Sequence, residues 1–443
     1  MRLGFIALSG VRAHNAELTR LGLTLPGFVD RNRIIASLPS LGLLTLAGLT
    51  PPPIEVEYLE LPGEVDDVQL GSFDAVALSS FTARIKDAYR LADRYRAAGV
   101  KVILGGLHVT ALPGEAMQHA DAIVIGEGEP VWPELLADLQ AGHLKPVYDG
   151  RNSEYSLDDA PMPRFDLLDM DRYNRLTVQT QRGCPFRCEF CAASILISPR
   201  YKLKPVEKVI SEIRRIKERW PQPFIEFADD NTFVNKSRSK ELMQALAKEN
   251  VRWFTETDVS VADDKELLGL MRDSGCAQVL IGFESPALTG LDGLEQHANW
   301  KAKQVDRYFE AIRRIQDHGI TVNGCFILGL DGTGPESFDR VFEFVRSSGL
   351  YEVQVTLLTP FPGTPLYERL RREGRLLQEG AWELCTLFDV NFRPLNMTVQ
   401  ALETGFRDMV TRLYSDEFTH ERRERYHRRQ LELRRAPHST PES

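Results

Sequence analysis

Cysteine is scarce in this chain, six among 443 residues. That is too few for a disulfide-stapled scaffold. The first residues, 1–8, read as the start of a strand; they are too short for a secretory apolar region and lack its cleavage pattern. No uninterrupted apolar stretch approaches the roughly 20 residues that a membrane-spanning helix needs. Excess positive charge is also missing: the formal net charge is −9, which argues against a general nucleic-acid binder while leaving a local basic groove open. Neither phosphate-cradling motif occurs, G-x-G-x-x-G opening a helix after a strand or G-x4-G-K-[ST]. A chain of this length, 43% hydrophobic, is expected to fold as two or more globular domains, and the cytoplasm is its expected location.

Three of the six cysteines are packed into one short run, Gln181-Arg182-Gly183-Cys184-Pro185-Phe186-Arg187-Cys188-Glu189-Phe190-Cys191. Their C-x3-C-x2-C spacing on a loop containing glycine and proline lets three thiolates hold three irons of a cubane. Such clusters normally take four cysteines, yet Cys276, Cys325 and Cys385 lie far downstream in apolar strand- or helix-like stretches. A structural zinc site calls for four closed ligands, usually in two pairs, and no second pair exists. A cubane with one iron uncapped meets the requirement for binding and cleaving S-adenosylmethionine. The run, including the aromatic Phe190 before the last cysteine, resembles the radical SAM (S-adenosylmethionine) family.

Before that loop, short apolar runs at 3–8, 54–61, 74–80, 100–104 and 122–125 alternate with helical patterns, the arrangement of a parallel α/β sheet. Ile85, Ala88/Tyr89, Ala92 and Tyr95 recur at helical spacing. Small residues follow the strands: Ser79-Ser80, then Gly105-Gly106 with His108, then Gly126-Glu127-Gly128-Glu129. Ligands of open α/β sheets bind outside the carboxyl ends of the strands, where glycine lets backbone approach closely. Taken singly, a Gly-Gly is a turn and His108 a loop residue. Together with Pro39-Ser40-Leu41-Gly42-Leu43-Leu44, the set resembles the cobalamin-binding domain that precedes many radical SAM domains. The resemblance implies cobalamin contacts from Ser79, Ser80, Gly105, Gly106, His108, Gly126, Glu127 and Gly128. The Asp-x-His-x-x-Gly motif that supplies a lower cobalt ligand in mutase-type domains is absent, so no histidine is expected below the corrin. The competing reading is a flavodoxin-like domain that binds nothing.

The polar stretch 145–175, with Pro146, Pro161 and Pro163, reads as a linker. Six strand-like runs follow, at 176–180, 224–228, 252–257, 278–283, 321–328 and 352–358. Helical patterns separate them: Val206, Val209/Ile210, Ile213 and Ile216 behind Pro205; Leu267/Leu268 and Met271; Phe309, Ile312 and Ile315. Six repeats fall short of a full eight-fold barrel and fit an open partial (β/α)6 barrel, with Gly275, Gly319 and Gly349 where helices should stop. Acidic residues recur at the strand ends: Asp229 and Asp230, Glu256 with Asp258, then Glu284-Ser285. The competing reading of each acid is a helix N-cap or solvated turn. The family resemblance implies that Phe190, Asp229, Asp230, Glu256, Glu284, Ser285, Gly324 and Ile327 surround S-adenosylmethionine. Cys276 and Cys325 read as small apolar filler. Beyond 376 an aromatic segment with Trp382, Phe388 and Phe392 is expected to cap the barrel mouth. The Arg/Glu-rich stretch after His420 is read as a solvated helix or frayed tail, with an RNA-contacting arm as the alternative.

The domain expectation is therefore a Rossmann-like, flavodoxin-like cobalamin domain over 1–144, a linker over 145–175, a radical SAM partial barrel over 176–375, and a helical cap with charged tail over 376–443. The resemblance implies a [4Fe-4S] cluster on Cys184, Cys188 and Cys191, S-adenosylmethionine cleaved reductively to a 5′-deoxyadenosyl radical, and cobalamin delivering a methyl group to an unactivated carbon of a small-molecule substrate. It also implies an electron donor such as flavodoxin or ferredoxin. The alternatives are a radical cyclase or rearrangement enzyme, an aminocarboxypropyl-transfer enzyme, and a non-catalytic iron–sulfur redox protein.

Overall fold

The computed structural model describes residues 1–11, 13–21, 38–192 and 200–435. Two six-stranded sheets organise the chain, and every strand pair in both is parallel. The first contains β1 (Arg2–Leu8), β2 (Glu55–Glu60), β3 (Ala75–Ser80), β4 (Lys101–Gly105), β5 (Ala122–Ile125) and β6 (Val147–Asp149), in the order β2-β1-β3-β4-β5-β6. The strand order reverses beside β1, where doubly wound sheets open a crevice. Leu3, Phe5 and Ala77 bury one face of this sheet; Ile6, Leu8 and Leu78 bury the other. Burial on both faces is why these strands read as continuous apolar runs.

The second sheet contains β7 (Leu176–Val178), β10 (Phe224–Phe227), β11 (Arg252–Thr257), β12 (Cys276–Glu284), β13 (Thr321–Leu328) and β14 (Glu352–Leu357). These lie side by side in chain order, each joined to the next through a helix, as in an open partial barrel. Helix Val206–Lys217 turns Val209, Ile213 and Ile216 inward, each fully buried. Helix Glu336–Ser348 ends on Gly349 in the left-handed conformation (φ 76°), where a side chain would be strained. One expected core position differs. Phe309 is 48% exposed, and its neighbour Tyr308 is buried instead, its hydroxyl donating to the Phe283 carbonyl at 3.1 Å.

Between β7 and β10, an antiparallel ribbon of β8 (Gln181–Arg182) and β9 (Lys202–Leu203) sets Arg182 opposite Lys202. Three α-helices end the described residues: Pro365–Arg372, Val399–Leu413 and Asp416–Arg435. The last of these covers the charged stretch expected to be solvated. The helix forms, but one side of it packs: Phe418, Arg422 and Tyr426 are buried, and the Arg422 guanidinium lies 3.4 Å from Glu352 at the start of β14. No helix among the described residues is long and apolar enough to cross a membrane.

Candidate active site at the barrel mouth

Cys184, Cys188 and Cys191 all line one cavity of about 330 Å³ at the carboxyl ends of the barrel strands. Their loop is anchored on every side. Gly183 enters it at φ 87°, a conformation that disfavours side chains. Cys188 bridges to Glu295, the Glu189 N–H donates to the Leu294 carbonyl at 2.9 Å, and the Gln296 N–H donates to the Arg187 carbonyl at 2.9 Å. The Glu295 carboxylate accepts from the N–H groups of Arg187, His297, Ala298 and Trp300. Against the upward push of burial, these donors hold it below the usual carboxylate range. Arg369 grips both Glu189 oxygens, at 2.6 and 3.1 Å, and reaches Asp331 at 2.5 Å.

Burial pushes the Cys184 thiol up to about 11 and the Cys188 thiol up to about 12. In the metal-free protein they are neutral at pH 7, and metal binding must release their protons. No three His, Cys, Asp or Glu side chains among the described residues converge as a set for one metal ion. A cubane asks for something else, one thiolate on each of three irons, and three cysteines on one cavity wall fit that demand.

The facing wall is acidic. Asp230, Glu256, Asp258 and Glu284 line the same cavity, with Lys301 among them. Glu284 ends β12 beside an irregularity in its pairing with β13 and holds φ 60°. A non-glycine residue in that conformation is held there by its surroundings. Here the Lys301 ammonium does the holding: it donates to Glu284 Oε1 at 2.7 Å and to the Gly282 carbonyl at 2.9 Å. Burial within the barrel, then the charges of Glu226, Asp230 and Glu284, push the Glu256 carboxyl up to about 8. Its side chain is nonetheless open to the space of the cavity, and water there moderates the push.

The remaining expected contacts separate. Phe190 and Ile327 line the cavity, but Asp229, Ser285 and Gly324 do not. The Asp229 carboxylate accepts from the Thr180 N–H and hydroxyl, the Gln181 N–H and the Thr232 hydroxyl; it braces the approach to the cysteine loop. The Ser285 hydroxyl is engaged within its own turn, with Ala287. A Cβ on Gly324 would sit 2.8 Å from Leu350, away from the cavity. Cys325, read from sequence as filler, lies on the cavity wall two residues before Ile327. The two-residue period of a strand was the signal that could have paired them. Lys301 had none, lying in a stretch without hydrophobic period.

A second cavity, of about 230 Å³, opens at the carboxyl edge of the first sheet. Of the residues expected there, Ser79, Gly105, Gly106, Gly126, Glu127 and Gly128 line it, joined by Gly42, Leu46 and Trp132. A Cβ on Gly42 would meet nothing within 4 Å, whereas one on Gly106 would lie 3.0 Å from Ser79 and one on Gly128 3.2 Å from Leu46; bare backbone at these points leaves a cradle suited to a bulky cofactor. Ser80 and His108 lie outside. His108 is 1% exposed, its Nε2 is 3.4 Å from Glu115, and its ring meets Tyr89 and Trp382 edge-on. Among the described residues, no histidine lines this cavity.

Comparison with known proteins agrees with this geometry. Residues 34–136 match the B12 binding domain, residues 178–345 the Radical SAM superfamily, and residues 364–442 a domain of unknown function (DUF4070). The chain is 29% identical over 382 residues to the bacteriochlorophyllide d C-12(1)-methyltransferase of Chlorobaculum tepidum, spanning 84% of this chain and 82% of that one. It is 28% identical over 361 residues to the hopanoid C-2 methylase of Rhodopseudomonas palustris, spanning 78% and 67%. Its fold resembles that of the radical S-adenosylmethionine methyltransferase TsrM from Kitasatospora setae, with a TM-score of 0.63 at 16% identity over 84% of this chain and 76% of that one.

Proposed function

The chain belongs to the cobalamin-dependent radical S-adenosylmethionine methyltransferases, and on that premise we propose that it methylates an unactivated carbon of a largely apolar small molecule. Its cofactors are a [4Fe-4S] cluster, S-adenosylmethionine and cobalamin. The observation that carries the reading is the gathering of Cys184, Cys188 and Cys191 with four carboxylates and Lys301 on one cavity, alongside a second, glycine-edged cavity in the same chain.

In this reading the three cysteines hold the cluster. Asp230, Glu256 and Glu284 would hold the cationic and hydroxyl groups of S-adenosylmethionine, and Ile327 would supply apolar contact to its base. The edge formed by Gly105, Gly106, Gly126 and Gly128 takes the corrin. When bound, these groups supply the electron for homolysis of a sulfur–carbon bond and the methyl group to be transferred. The protein's own part is orientation and exclusion of water. Lys301 fixes the Glu284 carboxylate. Leu280, Leu357, Leu358, Phe361 and Leu387 form an apolar wall on the same cavity, which suits an apolar substrate. We place the domain limits at 144, 175 and 375, with a flavodoxin- or ferredoxin-type electron donor in the cytoplasm.

Anaerobic protein loaded with iron, sulfide and hydroxocobalamin tests the reading. Incubation with a strong reductant and S-adenosylmethionine should yield both 5′-deoxyadenosine and S-adenosylhomocysteine. Methylthioadenosine in their place would mean aminocarboxypropyl transfer, and 5′-deoxyadenosine without S-adenosylhomocysteine would mean rearrangement.

A further inference from the structure

The Gly126-Glu127-Gly128-Glu129 loop has two sides. Its four residues border the N-terminal cavity, and its carboxylates pair with the ribbon that starts the cysteine loop. Arg182, two residues before Cys184, donates to Glu127 at 2.9 Å, to Glu129 at 2.6 Å and to Gln179 at 2.9 Å. Lys202, its partner across the ribbon, donates to the other Glu127 oxygen at 2.5 Å. Both glutamates are almost wholly buried, at 5% and 8% side-chain exposure, and both cations are at 15%. Burial pushes the Glu129 carboxyl up, yet the Arg182 charge and hydrogen bonds hold it below the usual range.

A planar guanidinium held by three side chains fixes orientation as well as distance. Lysine could supply the charge but not the fork. Arg182 also borders the cavity itself, beside Gln179. A corrinoid entering there meets backbone that cannot shift without moving Glu127 and Glu129, and those cannot shift without moving Arg182 and the entry to the cysteine loop.

We infer that Arg182 is a positioning residue that couples the two cofactor sites, so that filling the N-terminal cavity and filling the cysteine loop with its cluster each favour the other. This rests on the function proposed above. Coupling between binding sites is reciprocal, and its size is the ratio of one ligand's affinity with and without the other.

The test measures hydroxocobalamin affinity of the full chain, by equilibrium titration, with and without reconstituted cluster. Cluster-loaded wild-type protein should bind the corrinoid more tightly, by a factor within the roughly 5–150-fold range typical of such coupling. In Arg182→Gln the ratio should fall to within about two-fold of one, whatever the change in the affinity of the cluster-free form, while iron content stays near wild type. Arg182→Lys should restore only part of the ratio. Glu129→Gln, which keeps the shape and removes one charge, provides the same reading if the arginine variant folds poorly. A residue that served only to stabilise the fold would lower both affinities together and leave the ratio intact, and that result overturns the inference. Wild-type protein that takes up no corrinoid would instead remove the proposed function, and the inference with it.

Discussion

The two cavities occupy the same place in two parallel sheets, yet they are built from opposite materials. At the barrel mouth the wall carries charged and metal-binding side chains: three thiols, four carboxylates and one ammonium. At the edge of the first sheet the wall is mainly glycine and aliphatic, and the carboxylates of its own loop are neutralised by Arg182 and Lys202. The contrast follows from the ligands. A cluster and a sulfonium nucleoside need donors and opposite charges at fixed points. A large preformed corrin needs a broad, close approach that Cβ atoms would block.

If that contrast holds, removing a charge at the barrel mouth costs much more than removing a polar group at the first edge. Lys301 and Glu284 are 13% and 9% exposed at the side chain. Lys301→Met leaves the carboxylate buried and unpaired, and should destabilise the cluster-free protein by about 3–5 kcal/mol in urea unfolding. Adding Glu284→Gln should recover a large part of the loss. Ser79→Ala at the other cavity should cost less than about 1 kcal/mol. Equal losses at the two sites would break the comparison.

A smaller effect concerns pH. The folded Glu256 carboxyl is pushed up to about 8 from an ordinary value of 4.5, so folding favours its protonated form. Its contribution to stability is therefore complete below about 4.5 and is lost as pH rises through about 8. Urea midpoints of the cluster-free protein at pH 5, 7 and 9 should fall more steeply for wild type than for Glu256→Gln. Parallel curves would mean that water in the cavity cancels the push.

The same contrast governs what the sequence revealed. The C-x3-C-x2-C run marked its loop because covalent ligation fixes spacing locally. The glycines of the first sheet were legible as an assembly, since strand ends can be counted along the chain; Ser80 and His108, a residue or two further on, turn elsewhere. The acidic residues were harder. Asp229 and Asp230 are adjacent, but one braces Thr180 and Gln181 while its neighbour faces the cavity. Which one faces in depends on how the chain leaves β10, and local pattern does not carry that. Lys301 is placed by tertiary packing against Glu284, 17 residues earlier. The final helix looked solvated by composition, but Arg422 is buried against Glu352, 70 residues away.

The central claim is that one chain holds two separable cofactor sites, the cluster on cysteines and the corrin on backbone. Its most direct test is the iron, sulfide and corrinoid content of anaerobically reconstituted Cys188→Ala and Gly105→Leu proteins, measured together at saturating hydroxocobalamin. Gly105 borders the first-sheet cavity, and a Cβ there has ordinary room, 3.6 Å from Val124, so the longer leucine side chain can fill the corrin space without breaking the sheet. The account predicts that Cys188→Ala loses the cluster and keeps the corrinoid, and that Gly105→Leu does the reverse. A full iron complement in Cys188→Ala, or loss of both cofactors from each variant, would contradict it.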